Sequence, residues 1–513
     1  MTVVFEKEFH LVGEERTQAL ARRISLWCRP GLLIALQGDV GTGKSTFARA
    51  FIRALFKPGF DSDVPSPTFS LIQTYDETRV PVFHADLYRV GNSDEIAELG
   101  LDELSQSHCG LIEWPERLAN PLTEDVLHFN LSGTGGSRKA ILTGNGRWAP
   151  VLARDATIEE FLKRHNIEND SRVFFEGDAS SRRYETVMRN GERVLLMDMP
   201  QRPDGPAVKH GKPYSQIAHL AEGITAVVAI NNHLVDLGFS APRTIANDIA
   251  AGLALIEPLG DRVYGRMMLA GEDMREPMLQ AASLLAEMAT HEWPARPVAT
   301  ADNTHALKHY DEDAMLIEVD LLPSWFYRHI HGVAAPGSLN ESFADVWRKV
   351  LPIVRTERPQ WVLRDFHSPN LIWIPERQGV RRVGIIDTQD AVLGHPAYDL
   401  MSMAQDARVD VSMDMEKLVV DHYCAERHQQ GHFDEESFRA AYAVLGAQRA
   451  TKILGIFARL NMRDGKPAYL KHMPRVSRYL AHNLEHPSLQ PLKKWYLKNI
   501  PEALSVGLAV KPS

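Results

Sequence analysis

Eight residues near the N-terminus, Gly38-Asp39-Val40-Gly41-Thr42-Gly43-Lys44-Ser45, have the types and spacing to hold the phosphates of a nucleotide. Glycine, four residues, then Gly-Lys-Ser lets successive backbone N–H groups wrap an anion, while the lysine reaches the terminal phosphates and the serine hydroxyl meets Mg²⁺. A second constellation lies far downstream, where Trp361-Val362-Leu363-Arg364-Asp365-Phe366-His367-Ser368-Pro369-Asn370 is followed by Val383-Gly384-Ile385-Ile386-Asp387. An aspartate, an asparagine five residues on, and a buried strand ending in aspartate have the spacing of a kinase catalytic loop and its metal ligand. In that chemistry Asp365 accepts the proton of an acceptor hydroxyl, and Asn370 and Asp387 hold Mg²⁺ on the triphosphate of ATP. The alternative is a satisfied polar loop beside a core strand.

The elements around the first motif suit it. Leu32–Leu36 reads as a buried strand, and Lys44 onward, through Ser45, Thr46 and Phe47, as a helix stopped by Pro58-Gly59. The turn between them places donors and a positive dipole end at the anion. Two acids follow further apolar runs: Asp86 after Val80–Ala85, and Glu113 after Gly110-Leu111-Ile112. Each is either a carboxylate at the ligand-binding end of an open α/β sheet or a solvated strand-end charge. In Val64-Pro65-Ser66-Pro67-Thr68-Phe69 the prolines hold an extended loop. Its Ser66 and Thr68 hydroxyls either sense a γ-phosphate or belong to a plain rigid connector.

Taken in order, Gly38 to Ser45, Ser66-Pro67-Thr68-Phe69, His84-Ala85-Asp86-Leu87-Tyr88-Arg89 and Ile112-Glu113-Trp114-Pro115-Glu116-Arg117 resemble the TsaE family. These are small P-loop ATPases required to make N6-threonylcarbamoyladenosine in bacterial tRNA. The resemblance implies that Lys44 binds phosphates and that Ser45 and Glu113 hold Mg²⁺. It also implies that Thr68 and Asp86 serve γ-phosphate sensing and hydrolysis, and that Trp114 packs beside the nucleotide. The loop Gly38, Asp39, Gly41, Thr42, Gly43 to Thr46 completes the ATP site. Ser45 stands where the family often has threonine, with a hydroxyl able to make the same contact. The implied partners are the proteins of the tRNA threonylcarbamoylation complex, with tRNA met only indirectly.

From Val126 the pattern is strand-like, with a Gly133-Thr134-Gly135-Gly136 turn and Asn145-Gly146. A linker is expected over Trp148–Asp155, and Thr157-Ile158-Glu159-Glu160 offers a capping box, so the domains are expected at 1–150 and 156–513. Arg172–Phe175 and the run from Tyr184 read as strands around Glu176–Arg183, and Asn190-Gly191 as a hairpin turn into Val194–Met197. The first turn, with Gly177 and Ser180, either covers phosphates or is a plain hairpin. Ala254–Asp261, with Glu257 and Leu259, is either the hinge whose backbone receives an adenine or an ordinary strand and turn.

Gly177–Ser180, Arg183-Tyr184, Val194–Asp198, Arg364–His367, Pro396-Ala397-Tyr398-Asp399-Leu400 and Gln448–Gly455 together resemble the kinase-like aminoglycoside phosphotransferase superfamily, nearest its AmgK branch. That branch phosphorylates the anomeric hydroxyl of N-acetylmuramate and N-acetylglucosamine in cell-wall recycling, so the resemblance implies ATP, Mg²⁺ and an amino-sugar substrate. The expected fold is an α/β P-loop NTPase domain followed by an α+β bilobal protein-kinase-like domain. Val194–Met199 lacks the phosphate-pairing lysine of the wider superfamily, a trait shared by the AmgK branch. Arg182, Arg183, Lys209 and Lys212 are either substitutes or surface cations. Glu318, Asp320 and Trp325 are either a sugar-binding wall or core and solvated face. A catalytically weak metabolite-sensing module is the alternative for this half.

Composition narrows the classes. A formal net charge of −9 in 513 residues argues against broad wrapping of nucleic acid. No apolar run approaches the roughly 20 residues of a spanning helix, and the acid-containing N-terminus has no signal-peptide pattern, so a cytoplasmic protein without a membrane segment is expected. The widely spaced Cys28, Cys109 and Cys424 form neither a disulfide framework nor a zinc site and are expected as buried free thiols.

Overall fold

The computed structural model describes residues 5–505 except 58, 60–62, 91–94, 97, 119, 121, 123–124, 134, 176–181 and 202–204. The chain divides into two compact units, Met1–Asp198 and Met199–Ser513.

The first unit is built on a seven-stranded sheet. Its strands are β1 (Phe5–Val12), β2 (Leu33–Gln37), β3 (Ile72–Tyr75), β4 (Val82–Asp86), β5 (Cys109–Glu113), β6 (Val126–Ser132) and β7 (Ser137–Gly144). Their order is β1-β7-β6-β2-β5-β4-β3. The centre, β6-β2-β5-β4, is parallel. β4 and β5 are buried at every position, as continuous apolar runs in a parallel sheet should be. Helix α1 (Glu14–Ser25) precedes β2, and α2 (Lys44–Arg53) follows it. Phe47 and Phe51 of α2 are fully buried, and the Phe47 ring lies 4.2 Å from that of Phe129 on β6. This packing fixes the helix start over the C-terminal ends of the strands.

The expected linker is instead one helix, Trp148–Arg164. Trp148 is fully buried and its Nε1 donates to Leu33 O at 2.9 Å, so the helix begins as part of the first sheet's packing. Thr157 is no cap; its Oγ1 donates to Ala153 O within the helix.

The same unit continues through β8 (Val173–Phe175), β9 (Arg183–Arg189) and β10 (Glu192–Asp198), an antiparallel set with the expected turn at Asn190-Gly191. A buried ionic network joins them to what precedes. Asp155 accepts from Arg23 Nε at 2.6 Å, Trp27 Nε1 at 2.9 Å and Arg172 Nη1 at 2.7 Å, and Arg172 Nε donates to Glu185 at 2.6 Å. Burial opposes the ionisation of Asp155, but the charges of Arg172 and Arg23 prevail and hold it at about 2. Arg183, expected as a phosphate ligand or a surface cation, is neither. It pairs with Glu185 and lies 3.5 Å from the centre of the Trp27 ring.

The second unit holds a hairpin (Thr244–Asp248 with Leu253–Ile256) and a large helical core. Two short pairs frame its central loops: Gln360–Val362 with Val392–Gly394, and Leu371–Trp373 with Val383–Ile385. The long helix Glu435–Met462 runs through the core. Phe457 and Trp495, expected in the core, are there. Cys28, Cys109 and Cys424 are buried and free. Among the described residues no helix is long and apolar enough to cross a membrane.

Candidate active sites

In the first unit the turn after β2 leads into α2 as anticipated. Gly38 has φ +133°, and a Cβ there would lie 2.2 Å from Leu131 O, so only glycine lets the loop pass this strand. Thr42 Oγ1 bonds Asp39 O, and Lys44 Nζ curls back to Gly38 O at 2.6 Å and Asp39 O at 2.9 Å. The Lys44 ammonium lies 3.9 Å from the centre of the Trp114 ring. Burial lowers the pKa of Lys44, while Glu113 and Glu116 oppose the shift. Gly41 and Gly43 complete the turn with positive φ, and Thr46 lies half-buried in the first turn of α2.

Both strand-end acids come to this loop. Asp86 and Glu113 are paired in register across β4 and β5, and both are buried, which removes the reading of solvated strand ends. Ser45 Oγ donates to Glu113 Oε2 at 3.1 Å, and Thr68 Oγ1 donates to Asp86 Oδ2 at 2.9 Å. Ser66 Oγ stands 2.9 Å from Thr68 Oγ1, so the proline-held loop is wired into the site. The arrangement is two hydroxyl–carboxylate pairs one strand apart, beside a phosphate loop.

Two residues here escaped the sequence reading. His84 is buried with Nε2 at 3.0 Å from Glu113 Oε1, which leaves the other carboxylate oxygen turned to Ser45. Its signal was its place two residues before Asp86 on one strand face. Arg138 on β7 donates from Nε to Thr42 O at 2.6 Å and so braces the phosphate loop from outside. Nothing local in the sequence marks it.

In the second unit the kinase-spaced residues meet. Asn370 Nδ2 donates to Asp365 O at 3.0 Å, and Ile386 N donates to Asn370 O at 3.0 Å, which sets Asp387 beside Asn370. Arg364 (φ 68°) and Asp387 (φ 65°) both hold left-handed backbone, a strain that the surrounding bonds must sustain. Asp365 is half-buried, with His367 Nε2 3.7 Å from Oδ1. Burial would raise its pKa, but His367 and the charges of Arg449 and Lys452 keep it well below the usual carboxylate range.

The supports of this loop were not chosen from the sequence as site residues. Asp399 is buried and accepts Leu363 N at 2.7 Å and Arg364 N at 3.0 Å, while Asp406 accepts Ser368 N at 2.8 Å. Arg364 donates to Ala218 O at 2.7 Å and pairs with Glu318. Glu318 is therefore no sugar wall. It is fully buried, takes bonds from Tyr310, Arg364, Gln448 and Lys452, and its carboxyl sits at about 2 because Lys452 and Arg364 outweigh burial. Trp325 packs half-buried against the core, and Lys209 stands 3.8 Å from Asp320.

Replacing Asp399 with alanine strands two buried N–H groups and frees the loop. It should lower phosphotransfer kcat by about 100-fold with the reacting groups unchanged, measured by steady-state kinetics with ATP.

Leu259 forms a buried apolar cluster with Ile372 and Ile374, against which Ile386, the residue before Asp387, packs. Glu257 follows the strand Leu253–Ile256, its side chain bound to Arg377 at 3.0 Å. Its backbone N–H donates to Arg243 O at 3.0 Å, so its carbonyl is what it could offer a base. Gly177 and Ser180 lie outside the described residues.

The two sites define a P-loop ATPase and a kinase-like phosphotransferase carried in series. Residues 11–141 match the family described as threonylcarbamoyl adenosine biosynthesis protein TsaE, and residues 171–440 match the phosphotransferase enzyme family. Similar to the larger part is the N-acetylmuramate/N-acetylglucosamine kinase of Caulobacter vibrioides, 37% identical over 68% of this chain and 97% of that protein. Similar to the first part are the tRNA threonylcarbamoyladenosine biosynthesis proteins TsaE of Rickettsia felis and Bacillus subtilis. The first is 37% identical over 30% of this chain and 85% of its own length, the second 33% over 32% and 98%. The chain belongs to both families, as a fusion of a TsaE ATPase domain with an aminoglycoside-phosphotransferase-type kinase. It is an enzyme.

Proposed function

We propose that the chain carries out two ATP-dependent reactions. The N-terminal site hydrolyses ATP in support of N6-threonylcarbamoyladenosine formation in tRNA, working with the proteins of the threonylcarbamoylation complex and meeting tRNA only through them. The C-terminal site transfers the γ-phosphate of ATP to the anomeric hydroxyl of N-acetylmuramate or N-acetylglucosamine in cell-wall recycling. Both belong to the cytoplasm, where ATP and tRNA are.

In the first site Lys44 leaves the carbonyls of Gly38 and Asp39 for the phosphates, Thr68 faces the γ-phosphate, and Asp86 orients water. Ser45 and Glu113 are hard oxygen donors fit for Mg²⁺. In the second site Asp365, held as a carboxylate, orients the sugar hydroxyl and takes its proton, and the apolar cluster around Leu259 would back the base. Asn370 and Asp387 are the oxygen donors fit for Mg²⁺ there, and the ion would supply neutralisation of the phosphoryl charge.

The observation that carries the kinase reading is the placement of Asp365, Asn370 and Asp387 around one strained, doubly braced loop. Incubation with γ-labelled ATP and a panel of amino sugars tests it. Label is expected on N-acetylmuramate and N-acetylglucosamine and absent from their 1-O-methyl glycosides. Thermal stabilisation by these sugars without any labelled product would overturn the reading in favour of a sensing module.

A further inference from the structure

Arg449, Lys452, Ile456 and Arg459 recur at helical spacing along one stripe of the helix Glu435–Met462. From first to last the stripe rises about 15 Å. Gly455 lets this helix press on its neighbour, since a Cβ there would lie 2.4 Å from the backbone of Leu321. The near end of the stripe belongs to the catalytic loop: Arg449 Nη1 donates to Arg364 O at 3.3 Å, and Lys452 Nζ donates to Glu318 at 2.8 Å. Those two cations have partners. Arg459, at the far end, has no carboxylate in ion-pair reach among the described residues. Its guanidinium lies 5.8 Å from the centre of the Tyr214 ring, and its Nε is buried without a hydrogen-bond partner. Tyr214 in turn sits within electrostatic reach of Glu318, Lys452 and Arg364. Arg459 therefore continues the helix face whose first two cations, Arg449 and Lys452, act on Asp365.

Asp464 reaches Arg459 only at longer range and is itself paired with Arg463. A partly buried guanidinium with no carboxylate in contact is costly to keep and well suited to accept one, because its fork matches a carboxylate bidentately. Resting on the amino-sugar kinase reading above, we propose that Arg459, backed by Tyr214, is the specificity-determining residue that binds an acidic substituent of the sugar. N-acetylmuramate carries such a group, a lactyl carboxylate on C3, and N-acetylglucosamine does not. The site thus distinguishes two sugars that present the same hydroxyl to Asp365.

The test is steady-state kinetics of the full chain and of Arg459→Gln and Arg459→Lys on both sugars. For Arg459→Gln, KM for N-acetylmuramate should rise about 10- to 100-fold, the range of a lost charge-assisted hydrogen bond, with kcat much less affected. Activity on N-acetylglucosamine should stay within about 3-fold and so reports that the variant is folded, and Arg459→Lys should recover part of the loss. Equal losses on both sugars, or no change on either, would overturn the assignment while leaving the kinase reading intact. A wild-type chain that phosphorylates neither sugar would overturn that reading, and this inference with it.

Discussion

Asp365→Asn is expected to lower sugar phosphorylation by about 10²- to 10⁴-fold, the range a positioned general base contributes. The substitution keeps the side chain's shape and removes its ability to accept a proton. ATP hydrolysis by the N-terminal site should persist in the same preparation, because Lys44, Ser45, Thr68, Asp86 and Glu113 form a bonded set of their own. The pH profile adds a second check. Because His367, Arg449 and Lys452 hold Asp365 below the usual carboxylate range, it stays ionised as pH falls toward about 5, and kcat/KM should show no acid limb from this group above that pH. An acid limb near neutrality that vanished in Asp365→Asn would contradict this geometry.

Asp155→Ala should cost about 3–5 kcal/mol, because it leaves the fully buried Arg172 guanidinium short of one carboxylate and strips acceptors from Arg23 and Trp27. The loss should be local. Hydrogen exchange should show β8–β10 losing protection first. The pH dependence has a definite sign. The folded pKa of Asp155, about 2, lies below the ordinary value of 3.8, so its stabilisation is present above pH ~4 and is lost as pH falls through about 2. Wild type should therefore lose this group's share of its stability in that window, and Asp155→Ala should show a shallower loss there, with Glu318 and Asp410 still titrating. Unchanged exchange in β8–β10 would show that the network does not hold these strands.

What could be seen in the sequence was what local spacing encodes. Gly38 to Ser45 and the Asp365, Asn370, Asp387 set are short-range patterns whose chemistry dictates their intervals, and the apolar runs before Asp86 and Glu113 announce strands. What escaped depends on contacts between distant residues. Arg183 stacks on Trp27, and Asp399 braces the loop at 363–364, pairs separated by long stretches of chain. The helix Trp148–Arg164 was hidden differently. Pro150 looks like a break, yet it occupies the first turn, where the backbone N–H groups have no helical partner to lose. Glu318 looked like an exposed acid beside an aromatic, and only the packed core reveals the cations that keep it charged at no exposure. Arg138 joins the phosphate loop from another strand of the sheet, a neighbour that sheet order alone identifies.

The central claim is that one chain holds two separate phosphate-handling sites with different acceptors, water in one and a sugar hydroxyl in the other. Phosphorus NMR of a single reaction with ATP and N-acetylmuramate, run on wild type, Lys44→Ala and Asp365→Asn, tests it most directly. The account predicts inorganic phosphate and a sugar 1-phosphate from wild type, only the sugar 1-phosphate from Lys44→Ala, and only inorganic phosphate from Asp365→Asn. Loss of both products in either variant, or a wild type that yields inorganic phosphate alone, would contradict it.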